Sequence, residues 1–194
     1  MARFLLVFFL ICPLLRAGEE EKKVAELYAR GLAGEKQAVI DCIAVLQRHL
    51  EQVPQDQLAR VYLGSAWTLR SRDLPIGFSK ISALRKGIRL MDEAAAAAPK
   101  DAKILLLRAV TNEALPAFLG RRQTARAQLE ELLGIVEKEP GRLEPADREL
   151  LYLNAGRAAA EAGEKDEARQ LWERGLTIKA DPKLSAEIRA ALAK

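Results

Sequence analysis

His49 is the only histidine in the chain, and the residue nearest to it that could serve as a nucleophile is Cys42. On a helix, seven residues at about 1.5 Å each put their backbones about 10.5 Å apart, far beyond the roughly 3 Å a nucleophile and its base require. The two therefore make no catalytic dyad. Cys42 falls on an apolar stripe and reads as a core residue. His49, which flanks Leu46 and Leu50, reads as a stripe-edge residue with a wet ring.

One histidine and the two cysteines cannot make a usual zinc shell, and the sequence contains neither a spaced acidic calcium loop nor a glycine-rich phosphate loop. Neither a catalytic residue, nor a cofactor site, nor a metal site is expected. The acidic pairs, Glu130 with Glu131 and Glu164 with Asp166 and Glu167, sit among matching bases and read as solvated faces. An enzyme built on carboxylates would need a buried acidic pair in a closed pocket.

The elements that must position any binding residue are helices. Apolar residues recur in steps of three and four at Val39, Cys42, Ile43, Leu46 and Leu50, again from Ile81 to Ala95, and again from Ala125 to Val136. Ile104 to Leu107 runs into Arg108, Ala109 and Val110 without a turn signal and reads as the centre of a helix. Alanine, leucine, glutamate, arginine and lysine dominate, and all favour helix.

The punctuation also recurs. Pro54, Pro99, Pro140 and Pro182 are spaced by 45, 41 and 42 residues, and each follows an amphipathic run. Asp56 and Asp101 follow their prolines by two residues, where a carboxylate can accept the unpaired amides of a first helical turn. Shorter breaks fall at Gly31 to Gly34, Leu74 to Ser79, Leu115 to Arg122 and Gly163 to Lys165. Helix pairs are expected at about 20–52, 56–98, 101–138 and 146–180, with a closing helix at about 183–193.

The N-terminus reads as a leader. Arg3 precedes an apolar stretch from Phe4 to Leu15, and Ala17 is followed by Gly18 and three glutamates. Residues 1–17 are expected to be a signal peptide and 18–194 the mature helical domain, exported to the periplasm or secreted. The alternative is retention as an uncleaved membrane-held segment, because Leu15 stands where a small residue is expected. Removing the leader lowers the net charge from +4 to +2, which argues against nucleic acid as a partner. Only Cys42 then remains, so stability must come from packing.

These residues resemble the tetratricopeptide repeat (TPR) family, whose unit is two antiparallel helices. In the last unit Tyr152, Ala155, Gly156 and Ala159 follow the first-helix spacing, and Ala168, Trp172 and Gly175 follow the second. In the second unit Leu63, Gly64 and Trp67 match the first helix, and Gly87, Met91, Ala94 and Pro99 the second, with about 11 extra residues between. Leu115, Pro116, Phe118, Gly120 and Arg121 are also similar to a step found in exported bacterial repeat proteins. The resemblance implies an all-α solenoid of about four degenerate repeats plus a closing helix. In such a stack Trp67 and Trp172 are wedges between helices, and Ala94 to Ala98 form a tight seam.

It also implies a function: a non-catalytic scaffold that holds a protein or peptide on a concave face, as a monomer or small oligomer. At family geometry that groove would include Tyr28, Ser65, Thr68, Lys103, Leu106, Glu113, Arg157 and Glu161, together with Leu58, Val61, Val110 and Leu153. A second candidate is the pair of inserted connections. Arg70, Arg72 and Lys80 surround Leu74 to Phe78, and Arg121, Arg122 and Arg126 follow Leu115 to Leu119. These basic loops could meet a membrane surface or an anionic polymer, unless their prolines and phenylalanines only pack the loops onto the stack.

Overall fold

A computed structural model describes residues 13–193, with side chains from residue 18 onward. The first twelve residues of the expected leader lie outside that range. The described residues form nine α-helices: α1 (Pro13–Leu32), α2 (Lys36–Gln52), α3 (Gln57–Asp73), α4 (Phe78–Ala97), α5 (Ala102–Glu113), α6 (Arg122–Lys138), α7 (Pro145–Glu161), α8 (Lys165–Ile178) and α9 (Pro182–Leu192). Among them is no strand, and no helix long and apolar enough to cross a membrane. Successive helices pack antiparallel, so the chain is an all-α stack of four helix pairs closed by α9. The boundaries fall within a few residues of those expected from sequence, except that α1 begins seven residues earlier.

Local chemistry sets the starts. Asp56 accepts from the Ala59 amide, Asp101 from Lys103 and Ile104, and Asp181 from Lys183 and Leu184, so three helices following a proline-marked turn are capped by a carboxylate. Pro145 and Pro182 open α7 and α9, where the missing amide costs nothing.

Small residues set the packing. At the crossing of α3 and α4, Gly64 and Gly87 lie back to back; a Cβ on Gly87 would stand 2.5 Å from the Gly64 carbonyl oxygen. At the crossing of α7 and α8, the Trp172 ring lies over Gly156 and its indole N–H donates to the Leu153 carbonyl at 3.1 Å. That is the wedge expected of Trp172. Trp67 is half-buried against the first core, with the Lys86 ammonium 4.1 Å from its ring centre.

Two cores result. Leu27, Val39, Cys42, Leu46 and Leu63 fill the first, between α1, α2 and α3. Met91, Leu106, Leu129, Leu132, Leu151 and Leu171 anchor the second, which runs through the remaining pairs, and Tyr62 packs against both. Ile104 to Leu107 are buried all round, because α5 is wrapped by α3, α4, α6 and α7.

Candidate functional site

Inward-facing residues of the first three pairs are consumed by the fold. The Tyr28 hydroxyl lies 2.6 Å from Ser65 Oγ, and Ser65 Oγ lies 2.9 Å from Thr111 Oγ1, so one hydroxyl chain links α1, α3 and α5. Thr68 Oγ1 donates to the Ser65 carbonyl at 2.7 Å. Ser65, Thr68 and Leu106 are buried, as is Val61. The expectation that these four line an open groove is therefore corrected: α3 lies directly against both α1 and α5, and this lateral packing buries them. Tyr28 is half-buried, its ring edge-on to Tyr62 at 5.3 Å, and burial pushes its phenol up to about 12.

Lys103 is taken up by an ion pair with Asp147, which ties the start of α5 to the start of α7. Glu113, half-buried near the end of α5, has a carboxylate oxygen without a partner. Desolvation raises its pKa above the usual glutamate value, and Glu161 adds repulsion that Arg122 partly offsets. A raised folded-state pKa means that the stabilising protonated form is fully present below the unfolded value and is lost as pH rises through the folded one. Glu113→Gln, neutral at every pH, should therefore raise the urea midpoint at pH 7 relative to wild type, with the gain closing below about pH 4. An unchanged or lower midpoint at pH 7 would contradict this.

The last pair is different. An open cleft of about 710 Å³ lies between α7, α8 and α9. Arg157 and Glu161 from α7, Lys165, Arg169 and Trp172 from α8, and Glu187 with Ala190 and Ala191 from α9 line it. Arg157 donates to Glu187 at 2.8 Å across the mouth, and Arg122 donates to Glu161 at 2.5 Å from the neighbouring repeat. Of the residues expected to make a groove, the structure brings Arg157 and Glu161 into this one cleft. Lys165, Arg169 and Glu187 were missed by sequence reasoning. The i, i+4 spacing of Arg157, Glu161 and Lys165 is the signal that marks this edge.

The basic loops hold fewer available charges than their sequence suggests. Arg121 and Arg108 both bind Asp92, Arg122 binds Glu161, and Arg126 binds Glu130 and Glu164. Arg72 donates to the Gly31 carbonyl at 2.9 Å and pairs with Asp73, while Arg70 is half-buried. Most of these arginines stitch one repeat to another. The loop apolar residues do not simply pack down either: Leu115 is buried, but Ile76 is 98% exposed and Phe78 and Phe118 are each 85% exposed.

Burial pushes the Cys42 thiol up to about 11, which keeps it protonated and unreactive. His49 sits at the stripe edge, partly exposed, with Asp56 Oδ2 2.8 Å from Nε2 and Glu20 3.6 Å from Nδ1. No group of three or more potential metal ligands occurs among the described residues. Glu149, a fully buried carboxylate, accepts from the Ala180 and Asp181 amides and from the Ser185 hydroxyl. These donors hold α9 in place. The residue shares the helical stripe of Tyr152, Gly156 and Ala159, a position from which its burial could have been read.

No family model and no curated protein matches the chain. Among solved structures it is similar to TTC0263, a thermophilic TPR protein of Thermus thermophilus, at 17% identity and a TM-score of 0.48, over 90% of this chain and all of that one.

Proposed function

We propose that the protein is a non-catalytic scaffold that holds a peptide or a segment of a protein partner in the cleft between α7, α8 and α9. The observation that carries the reading is the cleft itself, an open hollow of about 710 Å³ walled by three helices. Its lining suits a polypeptide. The face of Trp172 and the Ala160, Ala190 and Ala191 methyls offer apolar contact, while Arg157, Arg169 and Lys165 can meet carboxylates or main-chain carbonyls. The carboxylates Glu161, Asp166 and Glu187 lie exposed at its edge and form no enclosed acidic pair, so the lining suits recognition better than acid–base work.

The leader-like N-terminus makes an extracytoplasmic compartment part of the proposal, with the protein acting in the periplasm or after secretion. Site-specific photocrosslinking in the native host tests the binding reading. A crosslinker at Ala160 or Ala191 should trap a discrete polypeptide that one at exposed Ala127 on α6 does not. Equal labelling from all three positions would rule the cleft out as the binding surface.

A further inference from the structure

Among the described residues, the turn joining α3 to α4 carries the most exposed large apolar side chain, Ile76. Pro75 and Ile76 lie in the turn and Phe78 opens α4, with Ile76 98% and Phe78 85% exposed; Ile81, one turn on, is half-exposed. Neither the cleft between α7, α8 and α9 nor the small pocket beside Leu129 includes any of these side chains. Beneath the turn lies a dense collar of positive charge. Residues 70–90 carry six bases (Arg70, Arg72, Lys80, Arg85, Lys86 and Arg89) against the single acid Asp73, whereas the whole chain has 31 bases and 27 acids. Most of these bases lie within about eight residues, or about 12 Å, of the tip along their helices.

The collar is only partly neutralised. Among the described residues Arg72 meets Asp73 at 2.9 Å and Arg89 meets Glu93 only at 3.8 Å. Lys80 donates to the carbonyls of Ser71, Arg72 and Leu74 at 2.9 to 3.3 Å, which caps α3 and fixes the turn but leaves the charge in place. Lys86 sits over the Trp67 ring. The other apolar turn differs. Its arginines are spent on Asp92, Glu161 and Glu164.

From this arrangement we propose that the α3–α4 turn docks on an anionic lipid bilayer, with Ile76 and Phe78 entering the headgroup–acyl boundary and the surrounding bases lying at phosphate level. A bilayer receives an exposed apolar tip without needing a matching pocket, and its negative surface attracts the collar. Long arginine and lysine side chains can reach phosphates while their stems stay in the apolar layer. The surface is separate from the cleft, so the scaffold could hold its partner while seated on a membrane.

The test compares binding of the full chain to phosphatidylcholine vesicles with and without about one part in three phosphatidylglycerol, at low and high salt. Binding should depend on the anionic lipid and weaken with salt. Ile76→Asn combined with Phe78→Ser should lower the partition by about 100-fold, since burying one such side chain is worth at least a factor of about ten. Arg70→Gln with Arg85→Gln should lower it about 20-fold, while removing Arg121 and Arg122 should change it little. Because Phe4 to Leu15 are themselves apolar, a benzophenone at position 78 supplies a local readout: a lipid adduct is expected. Indifference to phosphatidylglycerol, unchanged partition in the tip variant, or a polypeptide adduct in place of a lipid adduct at position 78 would each overturn the proposal. The altered side chains at the tip are exposed, and an unchanged circular dichroism spectrum will show that the variants fold.

Discussion

Gly87→Ala should cost the fold about 3–4 kcal/mol, although alanine is the better helix former. The added methyl carbon would stand 2.5 Å from the Gly64 carbonyl oxygen, 2.8 Å from Thr68 Cγ2 and 2.9 Å from the Thr68 amide nitrogen. Two of these neighbours are backbone atoms of α3, so no rotamer change relieves the overlap. The helices must part by something on the order of 0.5–1 Å, and a gap of that size forfeits a quarter to a half of each dispersion contact along the crossing, including those of Met91 and Ala94. Set against a total stability of roughly 5–15 kcal/mol, the loss should lower the melting temperature by on the order of 10 °C. Gly134 in α6 is the internal control, since a Cβ there meets nothing within 4 Å. Gly134→Ala should gain about 0.5–1 kcal/mol from helix propensity alone. Urea denaturation of the two variants measures both, and a Gly87→Ala loss under about 1 kcal/mol would mean that the crossing is looser than this geometry.

The contrast between these two glycines shows where sequence reading succeeds and where it stops. Helix limits were legible because their causes are local: Asp56 and Asp101 cap the helices that follow, and proline closes each pair. The close pairing of Gly64 with Gly87 was legible as a repeat-like spacing, and so was the wedge of Trp172. What the sequence could not supply is which first-helix face remains open. That depends on how nearly α1, α3 and α5 approach one another, and the approach is set by side chains far apart in sequence, such as Tyr28, Ser65 and Thr111. Family geometry put Tyr28, Ser65, Thr68, Leu106, Arg157 and Glu161 on one groove, whereas lateral packing buries Ser65, Thr68 and Leu106 and leaves Arg157 and Glu161 at the surface.

Charge was misread for the same reason. Arg121, Arg122 and Arg126 looked like a free basic loop because their carboxylate partners, Asp92, Glu161 and Glu164, lie 29 to 39 residues away. Near the α3–α4 turn the opposite holds. The segment has one acid, and the fold brings few others to it, so its excess of bases survives folding.

Removing the Glu149 carboxylate should be the most damaging polar change, with Glu149→Ala costing about 4 kcal/mol. The side chain is fully buried, and three donors converge on it: the Ala180 amide at 3.0 Å, the Asp181 amide at 2.9 Å and the Ser185 hydroxyl. Those two amides point at the carboxylate because Lys179 adopts a left-handed conformation, φ 55°, which a side chain other than glycine holds only when its surroundings compensate. Without the acceptor the strained turn loses that compensation, and two part-buried N–H groups lose their partner. Glu149→Gln should cost only about 1–1.5 kcal/mol, because its carbonyl can still receive the amides and the Ser185 hydroxyl can reverse to accept from the new amide group. The damage should be concentrated at the closing helix. Hydrogen exchange in α9 should accelerate in the alanine variant while α3 and α4 stay protected, and Trp172 emission should shift to the red as the third wall of its cleft swings away. If binding resides in that cleft, the same variant should lose crosslinking from Ala160 without any change at Arg157 or Trp172 themselves. Undiminished protection of α9 in Glu149→Ala would show instead that Ile188 and Ser185 hold the helix without the carboxylate.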